Sequence, residues 1–443
     1  MNTTHLLTSA PIVPTMLRMS WPNMLSMVAT SLVSIAETAY VGQLGTAPLA
    51  AMALVFPIVM LQQMLSGGSL GGGISSAISR ALGARDMARA EALAWHACII
   101  GLVLGLGFTL VFSLGAAWIF GWIGRDGETV AQAALYAQVA FAASISIWLI
   151  NSLASVMRAA GDMGTPSFTL LLVAVAQIVI GGALGLGWGP LPRLGLAGVA
   201  SGMTISFTAG AVFLLWRMTR PAAHVRLIWQ KSLHWVHFKD ILKVGAISSL
   251  SALQMVFTIM IITRIVAEFG TQALAGYGIG SRLEFLLVPI TFAVGVTCIP
   301  LVGMALGAGL VHRARRVAWI GASLVCGLLS AVGLVVALWP DLWSQMFSND
   351  PEVLASAGLY FHRVGPVYGL FGVGMCLYFA SQGAGKMLGP ILGGTLRLIV
   401  VAVGGWWLLH HNSTVEQMFV VIAAAMAAYG LFTAAAVYRS RWG

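Results

Sequence analysis

The chain has 443 residues, 59% hydrophobic and 8% charged, against roughly 25% charged in an average soluble domain, which excludes a soluble globular fold. Its net charge of +10 does not mark a nucleic-acid binder, because most basic residues sit in short loops between long apolar stretches. Cys98, Cys298, Cys326 and Cys376 all fall inside apolar stretches and form no CxxC pair, so neither a disulfide framework nor a metal knuckle is indicated and they read as small core residues.

Apolar stretches of about 20 residues, the length that spans a hydrocarbon core of ~30 Å, recur along the chain. They predict an all-α polytopic membrane protein with twelve spans, over 20–43, 52–78, 93–117, 132–155, 166–187, 196–217, 244–267, 275–301, 317–339, 355–380, 388–409 and 417–438. No basic stretch or small-residue cleavage site precedes the first span, so the first helix is expected to act as its own signal. Of 23 Lys and Arg, 17 lie before span 1, after span 12 or in even-numbered loops. Only Arg125 and Arg193 lie in odd-numbered loops. The positive-inside rule then puts both termini in the cytoplasm, and the expected location is the inner (cytoplasmic) membrane.

The chain repeats itself. Val41-Gly-Gln-Leu-Gly45 matches Val266-Ala-Glu-Phe-Gly270, Ala81-Leu-Gly-Ala84 matches Ala305-Leu-Gly-Ala308, and Ala160-Gly161 to Pro166 matches Ala384-Gly385 to Pro390, at offsets of 225, 224 and 224. The Arg-rich loops Arg80 to Arg89 and Arg313 to Arg316 match and share one side, so two six-span halves run parallel, related by an axis along the membrane normal. The predicted division is an N-lobe over 1–217, a basic cytoplasmic linker over 218–243 and a C-lobe over 244–443. Trp229, Trp235 and Phe238 lie among Lys and Arg in the linker, which suits a segment resting on the anionic inner leaflet. Gly67, Gly68, Gly71 to Gly73, Gly276, Gly278, Gly280, Gly369, Gly372 and Gly374 allow close helix approach, with bending as a second reading.

One acid stands inside span 1. Asn23, Ser26, Thr30, Ser34 and Glu37 fall within an arc of about 80° on a helix, while Leu25, Val28, Leu32 and Ile35 point elsewhere. A charged group facing lipid costs at least ~2.5 kcal/mol, so Glu37 should face a bundle interior or a watery cavity. A carboxyl placed there loads and releases protons or, with amide and hydroxyl oxygens, holds Na⁺; the plainer alternative is a helix–helix hydrogen bond. The other intramembrane charges, Arg264, Arg282, Glu284, Arg363 and Arg397, belong to the second half. Glu284 is expected either to meet an Arg of another helix or to face the cavity as an anionic contact for a cationic substrate, and Arg282, two residues away, should not pair with it. Arg363 and Arg397 read as structural glue and Arg264 as a snorkelling side chain. Gln62, Gln138, Ser144, Asn151, Gln177, Gln254 and Thr258 read mostly as interhelical hydrogen bonds, a few of them lining a path. Twenty-one Met, Met27 among them, suit a pliable cavity as well as ordinary core filling.

With Glu37-Thr-Ala-Tyr-Val-Gly-Gln-Leu-Gly45, Leu82-Gly-Ala84, Leu306-Gly-Ala308, Ala160-Gly-Asp162, Pro166, Gly195-Leu-Ala-Gly198 and two six-span halves, the chain resembles the multidrug and toxin extrusion (MATE) family over essentially its whole length. The resemblance implies two lobes forming a V around a central cavity that opens alternately to each side, and export of organic, often cationic, compounds in exchange for H⁺ or Na⁺. It puts Glu37 where many members carry a first-helix Asp that binds the coupling ion; Ser34 from the polar arc of span 1 and Asn151 from the polar residues of span 4 are the further candidates for that site. Pro22 falls where a family proline accompanies bending of that helix; its plainer reading is a proline in the first helical turn. Gln177 falls where one branch has an Asn, but the Asp expected four residues later is Gly181. One N-lobe acid in place of two favours a proton over Na⁺. Span 7 has no acid before Glu268, and Glu284 in span 8 is the candidate substitute.

The leading expectation is therefore a proton-coupled exporter with Glu37 as coupling site, a substrate cavity drawing on Glu284, Gln62, Gln254, Thr258 and Met27, no cofactor beyond H⁺ or Na⁺, and no partners other than a small organic substrate and membrane lipids, working as a monomer. The alternative is a flippase for a lipid-linked saccharide, which requires Arg264, Arg282, Arg363 and Arg397 to converge on the cavity. An intramembrane enzyme is disfavoured, since no HExxH and no paired membrane acids occur.

Overall fold

The computed structural model describes residues 7–123, 127–411 and 413–442; Arg125 lies outside them. Among the described residues twelve helices are long and apolar enough to cross a membrane. In chain order, α1 to α12 are Ile12–Gly42, Thr46–Gly83, Met87–Leu114, Gly127–Ala159, Gly164–Leu186, Gly195–Thr219, Trp235–Ala267, Thr271–Gly307, Val311–Leu338, Pro351–Ala384, Leu388–Leu409 and Val415–Arg439. The count of twelve agrees with the sequence reading, but several helices outrun their predicted ends. Hydropathy sees the apolar centre, whereas the backbone ladder continues through polar residues such as Arg18 in α1 and Arg80 in α2. Pro22 consequently lies in the interior of α1, not in its first turn, and deprives that helix of one backbone hydrogen bond.

The described residues form two compact units, one within 18–245 and one within 246–442, with the segment 7–17 belonging to the second. The linker therefore groups with the first unit as far as Gly245. Within that unit a Cβ on Gly73 would lie 2.6 Å from the Ile241 carbonyl, so only glycine allows the start of α7 to pack on α2. His96 Nε2 accepts the backbone N–H of His234 at 3.0 Å, and Arg89 pairs with Asp240, fastening the linker to α3. In the second unit Arg313 donates to the carbonyls of Leu7 and Ala10 at 3.1 and 2.6 Å, and fully buried Met16 packs at Gly321. Those contacts place the N-terminal segment with the second unit.

The repeat read from sequence has a backbone cause. Gly45 and Gly270, immediately before α2 and α8, have φ of +125° and +110°, a region that is essentially glycine's alone. Gly161 and Gly385, just past α4 and α10, have φ of +88° and +69°. The ends of α2 and α8 close in the same way: Asp86 N–H bonds the Ala81 carbonyl at 2.9 Å and Leu310 N–H that of Ala305 at 2.7 Å, the six-to-one bond of a left-handed helix cap. The left-handed residue is Gly309 in the second unit and Arg85 in the first, at φ +75° and +62°. Inside the first unit α2 is interrupted by a π-helical stretch, Met64–Leu70, and α5 meets α6 backbone to backbone, where a Cβ on Gly202 would lie 2.6 Å from Gly181 Cα.

Candidate coupling site and C-terminal cavity

The N-terminal site is built where α1 meets α5. Ala29, Val33 and Glu37 recur every four residues and share one face of α1. Ala29 and Val33 form a buried cluster with Ala174 of α5, against which Leu171 and Ile178 pack. That contact carries Gln177 to Glu37. Glu37, only 8% exposed, accepts a hydrogen bond from Gln177 Nε2 on its Oε1 at 2.7 Å. Tyr136 of α4, also buried, lies near enough to feel the charge of Glu37.

The polar stripe of α1 is less of a ligand set than its spacing predicts. Leu25, Val28, Leu32 and Ile35 are exposed, and Asn23 and Ser26 buried, as the helical arc requires. The hydroxyls of Ser26 and Thr30, however, bond back to the carbonyls of Asn23 and Ser26 at 2.9 and 3.0 Å. Such back-bonding absorbs the polarity within the helix itself. Ser34 has no hydrogen bond to Glu37 among the described residues, and its carbonyl is taken by Thr38 Oγ1 at 2.7 Å. Asn151 turns to α2, bonding Ser66 Oγ at 2.9 Å and Gln63 Oε1 at 3.5 Å beside the π-helical stretch. It joins α4 to α2 and is not brought to Glu37. Gln62 likewise accepts from Ser144 at 3.2 Å, and Met27 is half-buried on α1.

In the second unit a cavity of about 180 Å³ opens between α7, α8, α10 and α11. Glu284 and Arg397 both line it, with Tyr277, Phe285 and Phe371 as aromatic wall. Glu284 does face a cavity, but its direct partner is the Tyr360 hydroxyl, not an arginine. Gln254 and Thr258 do not line the space. Gln254 Nε2 bonds Thr395 at 2.7 Å and Thr258 bonds the Gln254 carbonyl at 2.7 Å, because Gly394 lets α11 approach Gln254 closely; their neighbours Met255 and Ile259 form the wall instead.

The four membrane arginines are dispersed. Arg264 pairs with Glu268 at 2.7 Å, Arg363 pairs with Glu416, and Arg282 lies 5.0 Å over the Phe347 ring. Arg397 alone of the four lines the cavity. It is 8% exposed, stacked 4.8 Å over Phe371, and its Nε has no hydrogen-bond partner among the described residues. A desolvated cation–π contact is worth about 2 kcal/mol, less than the ~2.5–3.5 kcal/mol cost of an arginine at mid-span, so stacking does not by itself offset its burial.

Sequence reasoning missed Tyr136 and Tyr360, though a signal was present. Ala133-Ala-Leu-Tyr136 and Ala357-Gly-Leu-Tyr360 match at the repeat offset of 224. Each half thus sets an equivalent tyrosine beside its own acid, while the acids come from different helices, α1 and α8.

The MatE family model matches this sequence twice, over residues 22–182 and 248–407, once in each repeat. The chain belongs to the MatE family. Members of this family are transporters, and this one is a multi-pass membrane protein. A protein of Shewanella oneidensis named FAD transporter is 23% identical over 411 residues, 90% of this chain and 89% of its own length. A probable multidrug resistance protein NorM of Thermotoga maritima is 24% identical, over 85% of this chain and 81% of its own. Among solved structures, a MATE transporter in a bent conformation superposes with a TM-score of 0.90 at 23% identity, covering 99% of this chain and 98% of that one. The straight conformation gives 0.89 at the same identity and coverage. Other relatives, of Deinococcus radiodurans and Bacillus subtilis, are also named probable multidrug resistance proteins.

Proposed function

We propose that the protein is a proton-coupled antiporter exporting amphipathic organic compounds by alternating access, with Glu37 as coupling group and Glu284 as an anionic contact for cationic substrates. The observation that carries the reading is the composition of the Glu37 site. Its hydrogen-bond partner is an amide N–H of Gln177, so in this orientation the amide faces Glu37 with a donor and not with the oxygen that would ligate a metal cation. Position 181, where a second acid would stand, is glycine with the Val199 carbonyl 3.2 Å from where its Cβ would be, so α6 occupies the space. These features support H⁺ over Na⁺. Proton and substrate must prefer different conformations for exchange to occur. Gln177 bonds one carboxyl oxygen of Glu37, so a change in the proton on that carboxyl alters the contact between α1 and α5. Pro22, inside α1, is the position at which that helix yields.

The basic loops support termini in the cytoplasm of a bacterial-type inner membrane. Exposed Trp229 and Trp235 among Lys and Arg support a linker resting on anionic lipid, and a monomer is the proposed working unit. A flippase needs a cluster of arginines for pyrophosphate, and the pairing of Arg264 and Arg363 with carboxylates speaks against one. The test is dye export from proteoliposomes with pH and Na⁺ gradients imposed separately. Export should follow the pH gradient and ignore Na⁺, and Glu37→Gln should abolish the dependence. Export by Glu37→Gln that still follows the pH gradient would refute the proposal.

A further inference from the structure

We infer that the cavity of the second unit holds a subsite for the acidic group, a carboxylate or a phosphate monoester, of an aromatic substrate, with Arg397 as its recognition residue. Four observations converge. Arg397 is buried at the middle of α11, nine residues from the Leu388 end. Its guanidinium is covered on one face by Phe371 at 4.8 Å. Among the described residues its Nε is without a hydrogen-bond partner, and the ion pairs engage other arginines, none of them Arg397. It borders about 180 Å³ of space, enough for one aromatic ring with its acidic substituent.

A guanidinium is a planar fork that meets a carboxylate or phosphate through two parallel N–H donors, and it keeps its charge when buried. Phe371 fixes the plane of that fork, leaving its donor edge for a ligand. Tyr277 and Phe285 supply an aromatic wall, and the hydroxyls of Thr263 and Ser281 in the same lining donate back to the carbonyls of Ile259 and Gly278 at 2.8 and 3.0 Å, which leaves the donation to an acid to Arg397. Glu284 faces the same space and lies near enough to feel the charge of Arg397, but its Oε1 accepts from Tyr360, and among the described residues the two form no ion pair. Two of the other three membrane arginines differ on this point, since Arg264 and Arg363 have carboxylate partners; Arg282 stacks on Phe347 but does not line the cavity.

The proposal deepens the exporter reading by naming a substrate group and rests on that reading for its role in transport. Binding is therefore measured at equilibrium with no gradient, so loss of acid recognition and loss of proton coupling are separate results. The full-length protein in lipid nanodiscs is titrated calorimetrically with benzoate, phenyl phosphate and the neutral isostere benzamide. The acid probes should bind at least tenfold more tightly than the amide, and the better of the two identifies the acidic group preferred. Arg397→Gln should remove the discrimination, Arg397→Lys should keep part of it because charge remains without the fork, and Ser281→Phe, which fills the cavity and alters no charge, should abolish binding of both acids. Equal binding of acid and amide by the wild type, no binding of either, or undiminished discrimination in Arg397→Gln or Ser281→Phe would overturn the assignment. If Arg397→Gln does not fold, Ser281→Phe and the wild-type comparison still decide.

Discussion

The two halves share a backbone plan and differ in charge. Glu37 and Gln177 correspond through the repeat to Ile262 and Val401, both buried apolar residues. In the other direction, Arg397 corresponds to Val173, and Glu284 to Val59 or Met60, on an α2 that carries no acid. The tyrosine beside each acid is retained, as Tyr136 and Tyr360, and so are the glycines before α2 and α8 and after α4 and α10. A duplicated scaffold has thus kept what the fold demands, positive φ and close helix contact, while placing a lone acid in the first half and an acid with a base in the second. The division of labour proposed above is coupling in the first unit and substrate recognition in the second.

The largest expected effect tests that division. Glu37→Gln should lower gradient-driven export to the uncoupled background, a loss of two orders of magnitude or more, with equilibrium substrate binding unchanged. Next comes the tight α5–α6 contact behind Gln177. Gly202→Val must push a side chain into Gly181, and overpacking of this kind costs about 1–3 kcal/mol; a matching fall in thermal stability is expected in detergent, where Gly127→Ala, at a position with nothing within 4 Å, should have little effect.

A smaller effect separates the two tyrosines. Tyr360→Phe removes the donor to Glu284, a hydrogen bond to a buried acid worth about 1–3 kcal/mol, so apparent affinity for cationic dyes should change while the pH-gradient dependence stays. Tyr136→Phe should act on the gradient dependence instead. The smallest effect belongs to the helix caps. Arg85 holds a left-handed conformation that its counterpart Gly309 adopts freely, so Arg85→Gly should stabilise the first unit by up to about 1 kcal/mol, read as a rise in melting temperature.

The sequence made the membrane fold legible because composition and span length leave few alternatives, and the repeat because the pairs Gly45/Gly270 and Gly161/Gly385 hold positive φ in both halves. Glu37 and Gln177 were legible through the arc of α1 and the position in α5. Asn151, Gln254 and Thr258 were not, since an amide or hydroxyl on a helix carries no mark of which neighbour it faces, and here each is absorbed by a helix contact. Arg397 shows the same limit in reverse. Its depth in the membrane was evident, but its place on a cavity wall depends on Gly394, where α11 comes close to α7, and on Phe371 from α10.

The most direct test of the divided molecule is export from proteoliposomes measured for Glu37→Gln and Glu284→Gln side by side, with substrate concentration and pH gradient varied independently. Glu37→Gln should lose its dependence on the gradient at unchanged apparent substrate affinity, and Glu284→Gln should keep the gradient dependence with a raised KM for cationic dyes. The opposite pattern, coupling lost with Glu284→Gln and retained with Glu37→Gln, would contradict the account.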